Sequence, residues 1–149
     1  MTFSYDNHTL KNVRKSWEVA FNLSSTDQGR KQIAEAFRLC DDVPMESADN
    51  VTSLLLWAQN AFDYMAMGNY PYPSSYMLNG KGDLPAFPMR VSCENMKEHE
   101  MTDLQLIRGL AQASSVWYNY TSDLTCMDYR QGVNPETQDV GVLWGYQWW

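Results

Sequence analysis

The sequence predicts an all-α protein: a bundle of about five helices interrupted by one long loop rich in proline and glycine. Three observations carry that expectation. Apolar residues recur at spacings of three and four through most of the first 67 residues and again after Thr102, the period of a helix face. Serine and threonine stand where helix starts need side-chain caps. No stretch shows the strict apolar–polar alternation of a half-buried strand.

Taken in order, Leu10, Val13, Trp17, Ala20 and Phe21 share the apolar face of a first helix, which breaks at Leu23-Ser24-Ser25. Ser25 with Gln28 forms a capping-box pattern opening a second helix, with Ile33, Ala34 and Phe37 inward and an end near Cys40. Asp41-Asp42-Val43-Pro44 is a linker, because proline inside a helix removes a backbone donor and clashes with the preceding turn. Ser47 caps a long third helix whose stripe is Val51, Leu54, Leu55, Ala58, Phe62 and Met65.

From Gly68 to Pro88 the periodicity vanishes, and four of the six prolines fall in this stretch. A loop of about 20 residues in a compact domain is unusual and often functional. Pro88 suits a first helical turn and opens a short helix running past Cys93. Thr102 with Gln105 makes a second capping box. The helix after it places Leu104, Ile107, Ala111 and Ser114 on one side and Leu106, Leu110, Ala113 and Trp117 on another, so burial on two sides is expected. After Tyr118 the chain turns irregular, through Cys126 to an aromatic end, Trp144-Gly145-Tyr146-Gln147-Trp148-Trp149. Without a visible repeat or linker-like break, residues 1–149 read as one domain.

The totals exclude several function classes. The chain has 149 residues, 44% of them hydrophobic, and a formal charge of −7 with 11 Lys+Arg scattered along it. Nucleic acid is disfavoured, since phosphate binding needs clustered cations. The longest apolar run, Leu54-Leu55-Leu56-Trp57-Ala58, is far shorter than the ~20 residues of a bilayer span. Four N-x-[ST] sequons, at Asn7, Asn22, Asn50 and Asn119, point to a secreted or lysosomal history. Met1-Thr2-Phe3-Ser4-Tyr5-Asp6 lacks the basic head and apolar stretch of a signal peptide. Together these read as an interior segment of a longer secretory precursor. Cys40, Cys93 and Cys126 are sparse and widely spaced, which suits long-range disulfides better than a metal finger.

Catalytic chemistry is missing from the residue pattern. No serine stands in a G-x-S-x-G turn, and His8 and His99, both in polar surroundings, read as solvated surface residues. No C-x-x-C, H-x-x-x-H or dense acidic loop suggests a metal, so no metal or cofactor is expected. Asp41-Asp42 reads as a solvated turn. Trp17, Trp57 and Trp117 lie on helical faces and read as core. Trp144, Trp148 and Trp149 need something to cover them.

The segment Tyr64-Met65-Ala66-Met67-Gly68-Asn69-Tyr70-Pro71-Tyr72-Pro73, followed by Leu84-Pro85-Ala86-Phe87-Pro88-Met89-Arg90-Val91-Ser92-Cys93, resembles the peptidase S28 family. That family of serine peptidases includes the lysosomal Pro-X carboxypeptidases, dipeptidyl peptidase II and thymus-specific serine protease. Arg14-Lys15-Ser16-Trp17, Phe37-Arg38-Leu39-Cys40, Tyr118-Asn119-Tyr120-Thr121 and Trp144-Gly145-Tyr146-Gln147 extend the resemblance over nearly the whole chain.

The resemblance implies a helical cap inserted in an α/β-hydrolase, with the family's serine upstream of the matched stretch and its aspartate and histidine downstream. It implies that this chain is inactive alone and that the hydrolase domain is its partner. It also implies a Cys40–Cys126 disulfide. Cys93 would pair with a cysteine ahead of the first helix, but Thr9 stands at that place, which leaves Cys93 a candidate free thiol. Trp148-Trp149 replace a further half-cystine. Cleft-facing candidates are Asn69, Tyr70, Tyr72, Trp144, Gly145, Tyr146 and Gln147. Gly145 stands where the dipeptidyl-peptidase branch carries an acid, so the implied specificity is carboxypeptidase-like. The alternative reading is a free-standing secreted helical glycoprotein, a binding or structural module that self-associates through its Trp-rich end.

Overall fold

A computed structural model describes residues 7–75 and 82–130. Within them the chain forms helices α1 (Asn7–Ser24), α2 (Asp27–Phe37), α3 (Ala48–Met67), α4 (Pro88–Glu94) and α5 (Asp103–Asn119). Among the described residues the extended pairings are isolated bridges, Leu39 with Met127 and Ser74 with Leu84, rather than strands. The all-α expectation holds.

Helix α5 is the axis of the bundle, in contact with each of the other four helices. Thr102 accepts from the Gln105 N–H and the Gln105 side chain accepts from the Thr102 N–H, forming the expected capping box. Leu106, Ile107 and Leu110 are fully buried, and burial continues to Asn119 on every side but that of Arg108 and Gln112, which are exposed. Each such side chain contributes about 1.5–3 kcal/mol. Only Leu104, at the first turn, departs from the expected pattern, being exposed beyond the reach of its neighbours. Near the other end the ring of Trp57 lies 3.7 Å from that of Tyr118 in a parallel stack, and Tyr118 Oη donates to the Trp57 carbonyl at 2.7 Å. Tyr64 stacks on Trp117. Trp57 and Trp117 are core residues, as expected.

Helix α1 is rotated from the expected orientation. Ala20 is buried and Val13 and Trp17 pack against the core as expected, but the centre of the buried face is Thr9, Asn12, Ser16 and Val19, and Leu10 and Phe21 are 50% and 53% exposed. The reason is a polar contact that periodicity does not weigh. Asn12 Nδ2 donates to the carbonyls of Met96 and Glu98, at 2.8 and 2.7 Å, and so satisfies two acceptors of the α4–α5 turn. Beneath that turn Met96 is fully buried, and a Cβ at Gly109 would collide with its sulfur and sit 2.8 Å from the Asn95 carbonyl. Small and polar residues on α1, with glycine on α5, permit this close approach.

The α1–α2 corner is tighter than expected. Helix α1 runs to Ser24, and the cap of α2 is Thr26, whose side chain accepts from the Gly29 N–H, instead of Ser25, which donates to the Asn22 carbonyl. Ser47 caps α3 as expected, with Asn50 completing a capping box. Phe62 is only half-buried, while Trp57 and Ala61 join the inward stripe.

After α5 the chain returns across α2. Cys40 and Cys126 form a disulfide with a Cα–Cα distance of 4.9 Å and a sequence separation of 86. Backbone bonds flank it, Cys40 N–H to Met127 O at 3.0 Å and Met127 N–H to Arg38 O at 2.8 Å. Tyr129 Oη donates to Pro44 O, and Arg130 binds Asp42 and Asp128. Arg130 holds the Asp128 carboxyl below the usual carboxylate range.

Helix α4 is tied to α5 by buried Ser92, whose Oγ donates to Ala113 O at 2.8 Å. The adjacent Cys93 is a half-buried free thiol. Burial, with Glu94 next in effect, pushes its pKa above the ordinary thiol value.

Two outcomes follow for solution measurements. Replacing Cys40 and Cys126 together by alanine should lower unfolding free energy by about 4–5 kcal/mol, the chain-entropy value for a loop of this length; an unchanged urea midpoint would contradict the strap's role. Because the Cys93 pKa is raised, its thiolate is scarce at pH 8. Iodoacetamide should modify it about tenfold more slowly in the folded than in the unfolded chain, the gap closing as pH rises through the raised value. Equal rates at pH 8 would show the thiol to be unburied.

Candidate functional site

The segment after α3 is held by few contacts that place it closely. The Gly68 N–H bonds back to Tyr64 O, ending α3, and Ser74 and Leu84 exchange two backbone bonds at 3.0 and 2.7 Å. Leu84 is fully buried and anchors the returning strand of the loop to the core. Phe87 has φ 51°, a left-handed conformation that turns the chain into Pro88 at the start of α4. Its N–H donates to Tyr70 O at 2.7 Å, and Asn69 Oδ1 accepts from the Met89 N–H at 3.3 Å. Asn69 thus serves the orphan donors of the α4 start. Any part it takes in a cleft comes in addition to that duty.

Tyr70 and Tyr72 are brought together. Their rings stack nearly parallel, with centroids 5.4 Å apart, and Tyr72 is 57% exposed. Pro71 and Pro73 fix the backbone on either side of Tyr72. The result is a rigid aromatic surface raised on a loop, chemically suited to packing flat apolar rings rather than moving protons. The remaining cleft candidates, Trp144, Gly145, Tyr146 and Gln147, lie outside the described residues.

His8 and His99 are less isolated than their sequence context suggests. Their rings lie 4.2 Å apart and tilted by 48°, joining the first turn of α1 to the α4–α5 turn. Among the described residues no group of three or more His, Cys, Asp or Glu side chains is arranged to hold a metal ion. No described helix is long and apolar enough to cross a membrane.

A groove of about 620 Å³ runs along α5 between α2 and α4, rimmed by Glu35, Arg38, Glu94 and Arg108 over a floor of Ala111 and Val116. The Lys97 ammonium beside Glu94 lowers that carboxyl's pKa. The groove contains charge of both signs but no nucleophile with a base beside it. It was not legible in the sequence, because its rim gathers residues from three helices.

The four sequons differ in setting. Asn22 is exposed on the last turn of α1. Asn50 is half-buried, uses Oδ1 to accept from the Ser47 N–H and also bonds through its side chain to Tyr129, so it too is engaged in the fold. Asn119 is 6% exposed and locked to Leu124 by two bonds, Nδ2 to the carbonyl at 3.0 Å and the N–H to Oδ1 at 2.9 Å. A glycan there has no room in the folded protein, so Asn119 is withdrawn as an acceptor. The Asn7 side chain lies outside the described residues.

Comparison with known proteins gives the constellation a context. The family model described as serine carboxypeptidase S28 matches residues 1–148. The chain is similar to the lysosomal Pro-X carboxypeptidases of Pongo abelii and Homo sapiens, at 31% and 30% identity, over 94% of this chain and 26% of each relative. It is also similar to the putative serine protease pcp-1 of Caenorhabditis elegans, at 31% identity over 78% of this chain and 21% of that protein. The chain therefore spans about a quarter of the length of the curated relatives it matches. With a match across nearly all its residues, this chain belongs to the serine carboxypeptidase S28 family.

Proposed function

We propose that residues 1–149 are the helical cap of a secreted or lysosomal, proline-specific serine carboxypeptidase. In this reading the α/β-hydrolase part of the full-length protein supplies the serine, aspartate and histidine. The observation that carries it is the contrast between two facts. The chain aligns with nearly its full length to proteins named lysosomal Pro-X carboxypeptidase. Yet no serine of the chain stands in a G-x-S-x-G turn, the setting in which a hydrolase of this kind presents its nucleophile.

A cap of this kind acts by shape. A disulfide-strapped bundle over a hydrolase cleft leaves room for a chain end but not for a continuous polypeptide, which makes the enzyme an exopeptidase. The stacked Tyr70–Tyr72 pair supports the preference for proline. An aromatic face packs well against a pyrrolidine ring and costs little side-chain entropy, because flanking prolines already fix the loop.

The alternative, a free-standing helical binding module, draws support from the exposed apolar groups of α1 and from the unpaired Cys93. The reading frame separates the two: a cap requires a G-x-S-x-G ahead of the matched stretch and an aspartate and histidine after it.

The 149-residue chain should release no C-terminal residue from a prolyl peptide, and turnover abolished by a serine-directed reagent would sink the proposal. In the full-length enzyme, Tyr72→Ala should raise KM by about three- to tenfold with little change in kcat, the pattern of lost binding shared by ground and transition states. In a secretory host, deglycosylation mapping should find a glycan removed by Asn22→Gln, with Asn119→Gln leaving the mass pattern unchanged. A glycan on Asn119 of the folded, secreted protein would contradict the burial described above.

A further inference from the structure

We infer that the outward face of α1, centred on Leu10, Trp17 and Phe21, is the surface by which this domain docks on the α/β-hydrolase part of the full-length protein; the inference rests on the cap reading. A surface helix ordinarily turns its large apolar residues inward and its polar residues to water. Helix α1 departs from that rule in part. Its inner face mixes polar Thr9, Asn12 and Ser16 with Val19 and Ala20, while Leu10 and Phe21 stand half-exposed and Trp17, between them on the same stripe, packs against the core with only part of its ring covered. Positions 10, 17 and 21 are two and three turns apart, so the three side chains line one stripe. The other exposed apolar groups of the helices, Leu56, Leu104 and Tyr120, each belong to a different helix or to its end. Met67 ends α3, and Tyr72 belongs to the loop already assigned to the cleft.

One observation selects the occupant. The matched relatives carry about three-quarters of their length outside the region aligned with this chain, so a large body is available to cover the stripe. The stripe is bordered by exposed charges of both signs, Lys11, Arg14, Lys15 and Glu18, as the polar rim of an interface between domains would be.

The test compares the 149-residue chain with the full-length enzyme by hydroxyl-radical footprinting. Phe21 and Leu10 should be labelled in the chain alone and protected about fivefold or more in the full-length enzyme, while Leu56 labels equally in both. The paired change Leu10→Glu and Phe21→Asp should leave the melting temperature of the 149-residue chain unchanged. In the full-length enzyme it should speed proteolytic separation of cap from hydrolase about tenfold. Equal labelling of Phe21 in both proteins overturns the docking face, even where the full-length enzyme cleaves prolyl peptides. Concentration-dependent dimerisation of the 149-residue chain, abolished by the paired change, also overturns it and assigns the stripe to a second copy. A full-length protein without serine-dependent peptidase activity overturns the cap reading itself, whatever the footprint shows.

Discussion

Helix α5 must be surrounded, and the other elements arrange themselves to do so. From Leu106 to Trp117 its side chains are apolar or small on every side but the narrow strip of Arg108 and Gln112, so water on most of its circumference would cost the burial of several of them. A helix of this kind is stable only inside a ring of partners. Helix α3 contributes the long stripe from Val51 to Met65, α2 brings Ile33 and Phe37, and α4 adds Pro88 and Ser92. The aromatic pairs Trp57–Tyr118 and Tyr64–Trp117 close the end of the ring where α5 runs out.

Two devices hold that ring in register. One is the strap after α5, where the disulfide, the Leu39–Met127 bridge and the Arg130 ion pairs bind chain separated by more than eighty residues. The other is the Asn12 clamp on the α4–α5 turn, made possible by Gly109 beneath it. The strap constrains mainly the unfolded ensemble. The clamp instead satisfies the Met96 carbonyl, which would otherwise be buried unpaired. Their effects are therefore separable. Helix α1 is oriented by the clamp, and Leu10 and Phe21 are left outside as a consequence.

The same geometry fixes the loop that follows α3. Rigid helices carry the loop with Tyr70 and Tyr72, and two exchanged backbone bonds between Ser74 and Leu84 keep that loop from spreading. Asn69 fastens it to the start of α4. A platform fixed at three points presents its rings without further ordering on binding, which is the physical advantage a specificity element needs.

Local chemistry alone located most helix starts. Ser47, Thr102 and Pro88 stand at helix entries because a hydroxyl cap or a fixed φ acts within one turn, and that information lies in adjacent residues. The loop from Gly68 was legible for the same reason, since prolines and glycines act on their own backbone. The Cys40–Cys126 bridge was reached through family resemblance, because three cysteines by themselves leave the pairing open. The orientation of α1, the contact of His8 with His99, the burial of Asn119 and the groove along α5 were beyond the reach of sequence. Each depends on which distant carbonyl, ring or helix arrives at the site, and periodicity reports only that a face is apolar. It does not report what that face will meet. Helix positions and caps were thus written in neighbouring residues, while long-range packing chose which face of α1 turned inward, because the buried Met96 carbonyl and the Glu98 carbonyl beside it on the α4–α5 turn meet the donor that Asn12 supplies.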